Sequence, residues 1–199
     1  MELSDAMRRR RMVRAFTGRP VEPAVLDHLL VQACRAPSAG NTGGWDLVVL
    51  QGDQTATFWG CTTTNDWRRR SRRWPGLAAA PVVVVLVCDP AAYASRYRLP
   101  DKTGSGLGDE QAWPVPYWFV DAGMATMALL LGATDAGLGA CFLGNFRGEA
   151  ALLQALGVPP GRRYVGAVVL GEPAEHDPPS ASLARGRRHL EQVVHRGRW

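Results

Sequence analysis

Lysine is all but absent from this 199-residue chain: of its 23 basic residues, Lys102 is the single lysine and the other 22 are arginine. Such wholesale use of arginine beside abundant alanine and glycine reads as biased codon usage and carries little weight on function. The sign carries more, because a formal net charge of +5 favours anionic ligands, whether nucleic acid or a phosphate. Cysteine is scarce as well. Cys34, Cys61, Cys88 and Cys141 lie far apart and form no Cys-x-x-Cys pair, so neither a zinc site nor a disulfide framework is indicated. His28, His176, His189 and His195 lack metal-ligand spacing. Long apolar runs are missing: the most apolar stretch, Pro81 to Cys88, is far too short to span a bilayer. The N-terminus, MELSDAMRRRR, has the basic part of a signal peptide without the apolar segment behind it. A soluble, cytoplasmic protein with no membrane partner is expected. Gly104-Ser-Gly-Leu-Gly108 follows no clear strand and opens no helix, so a dinucleotide-binding loop is set aside. No internal repeat is evident, and a hydrophobic fraction of 46% with 21% charged residues fits one globular domain over 1–199.

What is present is organised around Asp121 to Phe146. From Asp121 to about Gly137 there is no proline, and no charge falls between Asp121 and Asp135. Met124, Met127, Ala128, Leu130 and Leu131 spread around the whole helix, which predicts burial on nearly all sides. Its two aspartates argue against a membrane span. Gly137 and Gly139 end the helix, and the apolar run Ala140 to Leu143 leads into Gly144-Asn145-Phe146.

The rest of the chain punctuates clearly in most places. A short helix is expected from Leu3 to Arg11, then an extended Met12 to Phe16 and a turn at Thr17 to Pro20. Val25, Leu26, Leu29, Leu30 and Ala33 recur at helical spacing, stopped by Ala36-Pro37. Leu47 to Leu50 and Val165 to Leu170 read as strands. Pro81 to Cys88 is the clearest one, since a continuous β-branched run means burial on both faces. Glu149 to Leu156 is a further short helix, closed by Gly157. Thr55 to Gly76, with Trp59, Trp67, Trp74 and five arginines, gives no legible period, and Asp101 to Asp109 reads as mobile. The tail from Ala174 must bury Leu190, Val193, Val194 and Trp199 somewhere, a second subunit being one place.

Four stretches could carry chemistry. Arg8 to Arg11 with Arg14 places five guanidinium groups in seven residues, and guanidinium matches phosphate oxygens bidentately. The loop Pro37 to Trp45 offers Ser and Asn side chains and glycines that let backbone N–H groups turn inward. Gly137 to Phe146 offers free backbone donors, and Arg185 to Arg188 is a second basic cluster. Each alone has a plainer reading: a solvated helix end, a turn, a strand end, a charged tail.

Together the stretches resemble the nitroreductase family of flavin enzymes. The resemblance is carried by Arg10-Arg-Met-Val-Arg-Ala-Phe16, Ala36-Pro-Ser-Ala-Gly-Asn-Thr-Gly-Gly-Trp45 and Gly137-Leu-Gly-Ala-Cys-Phe-Leu-Gly-Asn-Phe146. It continues through Leu156-Gly-Val-Pro-Pro-Gly161, Gly166-Ala-Val-Val-Leu-Gly-Glu-Pro173 and Arg187-Arg-His-Leu-Glu-Gln-Val-Val-His195, in that order, from Arg8 to Trp199. The resemblance implies an α+β fold, with a central mixed, mostly antiparallel sheet flanked by helices, in a homodimer with an extended C-terminal tail. It implies FMN at the dimer interface, touched by both subunits. Arg10, Arg11, Met12 (through its backbone) and Arg14 would hold its phosphate and pyrimidine edge, with Arg185 and Arg187 completing the phosphate site. Pro37, Ser38, Ala39 and Asn41 would reach in from the other subunit, and the backbone at Leu143, Gly144 and Asn145 would lie against the flavin ring. NADH or NADPH would be the transient electron donor, and a nitroaromatic or quinone-type small molecule the acceptor, in two steps. The cofactor supplies the hard chemistry, so no catalytic side chain is named.

This chain departs from the family pattern in places. Met12 stands where serine is usual, Gly43 where glutamine is common, and Gly144-Asn145 where better-known members have Glu-Gly. The usual Asn and Lys before the second strand have no clear counterpart, so which of Arg68 to Arg73 stands in is left open. Trp67, Trp113, Tyr117 and Trp118 are candidates for an aromatic wall, and 101–113 for a lid. Two other readings compete. A specialised member could run another flavin reaction or bind flavin without nitro reduction. A nucleic-acid binder would draw on Trp67-Arg-Arg-Arg-Ser-Arg-Arg-Trp74, although no recognition fold is discernible.

Overall fold

A computed structural model describes residues 1–144 and 147–199. Its centre is a four-stranded sheet in the order β1-β2-β4-β3, with β1 at Trp45–Gln51, β2 at Val82–Cys88, β3 at Gly139–Leu143 and β4 at Arg163–Gly171. All three ladders are antiparallel. The parallel component is one bridge, Met12 to Ala140, at the β3 edge.

Every residue of β2 is buried, as its unbroken apolar run demands of a central strand covered on both faces. Alternation then sorts the side chains. Val83, Val85 and Val87 join Ala167 and Val169 of β4 on one face, under Phe58, Trp59, Leu77 and Leu152. Those four come from α3 (Thr55–Thr62), α5 (Trp74–Ala78) and α8 (Glu149–Ala155). Val82, Val84, Leu86, Val168 and Leu170 face the other way, against Leu26, Leu29, Leu129 and Ala133. These belong to α2 (Pro23–Cys34) and α7 (Tyr117–Asp135). The remaining helices are α1 (Leu3–Arg9), α4 (Asn65–Arg70) and α6 (Pro90–Tyr97). No helix among the described residues is long and apolar enough to cross a membrane.

The N-terminal segment behaves as an edge strand. Val13 N–H donates to the Ala140 carbonyl at 2.9 Å, and Phe16 pairs with Pro173. Val13 lies so close to Gly139 that a Cβ there would sit 2.7 Å from its Cγ1. The chain thus covers β3, whose free edge would otherwise invite pairing, and so fixes where Arg10 to Arg14 point.

Three expectations need correction. The central helix starts at Tyr117 rather than Asp121, because Pro116 is tolerated at its N-cap and nothing after it breaks the turn. It is also not buried on nearly all sides: Tyr117, Val120, Met124 and Met127 form an exposed stripe. Only one face of α7 meets the sheet and α2, and the stripe stays uncovered among the described residues. The apolar tail residues Leu183, Leu190, Val193, Val194 and Trp199 are exposed too. The run Ala140 to Leu143 is strand β3, and α1 ends at Arg9, two residues short of the expected Arg11.

Candidate functional site

The segment after α1 is extended, pairing Met12 with Ala140 and Phe16 with Pro173. Val13 turns into the core, Met12 packs between the two core clusters, and the Met12 sulfur accepts from Phe142 N–H at 3.5 Å. Arg11 and Arg14 are left facing the chain that follows β4. There Asp177, its side chain only 4% exposed, gathers them. Arg11 Nη1 donates to its carboxylate at 3.0 Å, and Arg14 backbone N–H lies 3.3 Å from both oxygens. Arg14 folds its guanidinium back onto the Met12 carbonyl at 3.1 Å. Arg73 completes the group, with Nη1 3.6 Å from Asp177 and bonds to the carbonyls of Pro178 (2.6 Å) and Pro179 (3.1 Å).

Arg73 is therefore the member of the Arg68–Arg73 run that reaches the N-terminal arginines. Arg68 is committed elsewhere, to the Trp59 carbonyl and Thr63 Oγ1 at 2.8 Å each, with its guanidinium 4.7 Å from the centre of the Trp74 ring. Arg69 and Arg70 pair with Asp66 on the surface of α4. Neither Asp177 nor its link to Arg73 has a sequence signal, since nothing local connects positions so far apart. Arg10 is half-buried beside the cluster's start. Arg185 and Arg187 lie exposed on the tail, and the structure joins neither to Arg10, Arg11 or Arg14.

Leu143 and Gly144, at the end of β3, line a cavity of about 400 Å³ with Trp59, Thr62, Thr63, Thr64, Trp67, Leu77 and Arg147. Asn145, expected beside them, lies outside the described residues. Of the four aromatics considered for a wall, Trp67 is the one in this cavity. It meets Trp74 edge-on at 5.9 Å, and Trp74 meets Trp59 at 5.3 Å. Trp113 and Trp118 instead pack around Tyr93 in a separate cluster, with Trp113 Nε1 donating to the Leu107 carbonyl at 3.0 Å. Tyr117 stands on the exposed stripe of α7. A larger cavity of about 780 Å³, under Pro20, Val21, Ala56 and Trp74, shares Trp59 and Arg68 with this region but contains none of the expected cofactor residues.

The loop with Pro37, Ser38, Ala39 and Asn41 sits away from this site. It packs against Tyr97, Trp113 and the cluster around Tyr93. Ser38 Oγ accepts from Gly43 N–H at 2.8 Å, and Asn41 takes a left-handed φ of 55°. Within one chain the two halves of the expected site are not brought together.

Two guanidinium groups, of Arg11 and Arg73, and the Arg14 backbone N–H suit an anionic group, and the largely apolar cavity at Leu143 suits a planar ring. The carboxylate of Asp177 is itself an anion held by these donors. Nucleophilic chemistry finds little here. Burial pushes the Cys141 thiol up and the Cys88 thiol up to about 12, so both stay protonated at neutral pH. Among the described residues no cluster of His, Cys, Asp and Glu could hold a metal ion.

Comparison with known proteins points the same way. A model described as the Nitroreductase family matches residues 7–172. A protein of Archaeoglobus fulgidus, provisionally named an NADH dehydrogenase/NAD(P)H nitroreductase, is 26% identical over 193 residues, which is 96% of this chain and 94% of that protein. The crystal structure of a nitroreductase family protein from Streptococcus pneumoniae TIGR4 superposes with a TM-score of 0.75 at 21% identity, covering 98% of this chain and 99% of its own. A protein of Exiguobacterium sibiricum 255-15, provisionally named a nitroreductase and solved in complex with FMN, gives a TM-score of 0.75 at 16% identity, over 98% and 97% of the two chains.

Proposed function

The chain belongs to the nitroreductase family, and from that premise we propose that it is an FMN-dependent oxidoreductase, passing electrons from NADH or NADPH to a nitroaromatic or quinone-type acceptor. The observation that carries this reading is the convergence of Arg11, the Arg14 backbone and Arg73 on one buried anion position, close enough to β3 for the charges of Arg14, Arg73 and Asp177 to act on Cys141. FMN, when bound, supplies the hydride chemistry. The chain's own part is to hold and shield it. Arg10, Arg11, Arg14 and Arg73 offer charge to the phosphate and to the electron-rich pyrimidine edge. Leu143 and Gly144 offer backbone, and Trp59, Trp67 and Leu77 wall off water. Arg185, Arg187 and Asn145 remain assigned by the family pattern alone.

A homodimer is part of the proposal. Tyr117, Val120, Met124 and Met127 follow a three-four spacing along one side of α7, the seam two packed helices use. A second copy laid there would cover that seam and the apolar tail. It would also supply the loop at Pro37 to Asn41, which one chain keeps apart from its own arginines.

An anaerobic pair of half-reactions tests the function. Protein loaded with FMN should lose its visible flavin absorbance on adding NADPH or NADH and recover it on adding menadione or 4-nitrobenzoate. Absorbance that neither nicotinamide bleaches would refute the assignment. Bleaching that no member of an acceptor panel reverses would favour a specialised member of the family.

A further inference from the structure

The loop at 37–44 is bolted down by a residue from another element. Asp121 of α7 is 2% exposed, and its Oδ2 accepts two hydrogen bonds, from Ala39 N–H and from the Tyr93 hydroxyl, both at 2.8 Å. Tyr93 is completely buried. Burial and the neighbouring carboxylate hold its hydroxyl far above the usual phenol range, so it stays a neutral donor. A buried carboxyl with two hydrogen bonds and, among the described residues, no ion pair is an expensive way to fill space in a helix. Stability alone does not call for it there. What it secures is the backbone of Ala39.

A second tether holds the next residue. Arg96 of α6 donates from Nε to the Gly40 carbonyl at 2.8 Å, and its two terminal nitrogens grip Asp101 at 2.8 and 2.7 Å, which fixes the guanidinium plane. The loop also lies flat on two aromatic rings. A Cβ on Gly40 would come within 2.8 Å of the Tyr97 ring, and one on Gly44 within 2.4 Å of Tyr93. With Ala39 and Gly40 fixed from below, the backbone of Asn41 is held in its left-handed turn.

We propose that Asp121 and Arg96 are positioning residues for flavin binding, setting the shape of the loop that each subunit lends to its partner's FMN. The proposal rests on the reading that this loop touches FMN. Neither residue touches the cofactor itself.

The test is FMN affinity, read by quenching of flavin fluorescence, together with the visible circular dichroism of the bound flavin and the melting temperature. Asp121→Ala should weaken FMN by roughly tenfold or more, the scale of a lost bond to a charged acceptor, and should change the flavin dichroism. Asp121→Asn keeps an oxygen that can accept both bonds and should restore affinity to within about threefold. Tyr93→Phe leaves the Ala39 bond in place and should bind FMN as the wild type does. Arg96→Ala, at a side chain 24% exposed, should weaken FMN several-fold while the protein stays folded with only a small fall in melting temperature, and it carries the test should Asp121→Ala not fold. Wild-type affinity in folded Asp121→Ala or in Arg96→Ala would overturn the proposal. So would an Asp121→Asn protein as weak as Asp121→Ala. Failure of the wild type to quench flavin would instead overturn the assignment of FMN.

Discussion

The inner and outer faces of α7 differ less in hydrophobicity than in what they meet. Ala122, Ala125, Leu129, Leu130 and Ala133 face the chain's own core at 4% exposure or less, whereas Tyr117, Val120, Met124 and Met127 are 38–42% exposed. Small residues dominate inside, because α2 comes close enough that a Cβ on Gly132 would sit 2.4 Å from Gln32 Oε1. Two methionines, the most adaptable apolar side chains, stand outside. In the proposed dimer, one helix would serve a fold and an interface at once.

The sharpest way to break this comparison is Met124→Glu. Two carboxylates would face each other across the proposed seam, so the dimer should separate by gel filtration and FMN occupancy should fall to a small fraction. The secondary structure of the chain should survive. Leu129→Ala, on the inner face, should do the reverse: a loss of about 2–5 kcal/mol in denaturant unfolding from the cavity it leaves, with FMN still bound where the protein stays folded. The arginines divide in the same manner. Arg73 points inward to Asp177, so Arg73→Ala should raise the FMN Kd by roughly tenfold in a fluorescence titration. Arg72 stands exposed without a partner among the described residues, and Arg72→Ala should change stability by less than about 0.5 kcal/mol and leave FMN affinity alone. Equal effects at positions 72 and 73 would erase the distinction.

Much of this was legible in the sequence for definite physical reasons. A central strand buried on both faces must read as a continuous apolar run, and β2 does. The period of α2 and the extended run from Met12 to Phe16 were equally plain. The stretch 55–78 was not, because it folds into three helices of five to eight residues, each too short to display a period. The exposed face of α7 was hidden for the opposite reason: its apolar side chains have the same composition as a core. In the site, the arginines near the N-terminus announced an anion. Asp177 and Arg73 could not be found this way, since their meeting depends on the chain after β4 folding back over Ala15, where Ala174 N–H donates to the Ala15 carbonyl at 2.9 Å. Trp67 was separable from Trp113 and Trp118 only once the fold showed which cluster each joins.

The most direct test of the account is native mass spectrometry of the protein purified without added cofactor. The account predicts a species of two chains carrying two FMN molecules, with loss of FMN when the dimer is split. A single chain that retains FMN, or a dimer that takes up none even when FMN is supplied, would contradict it.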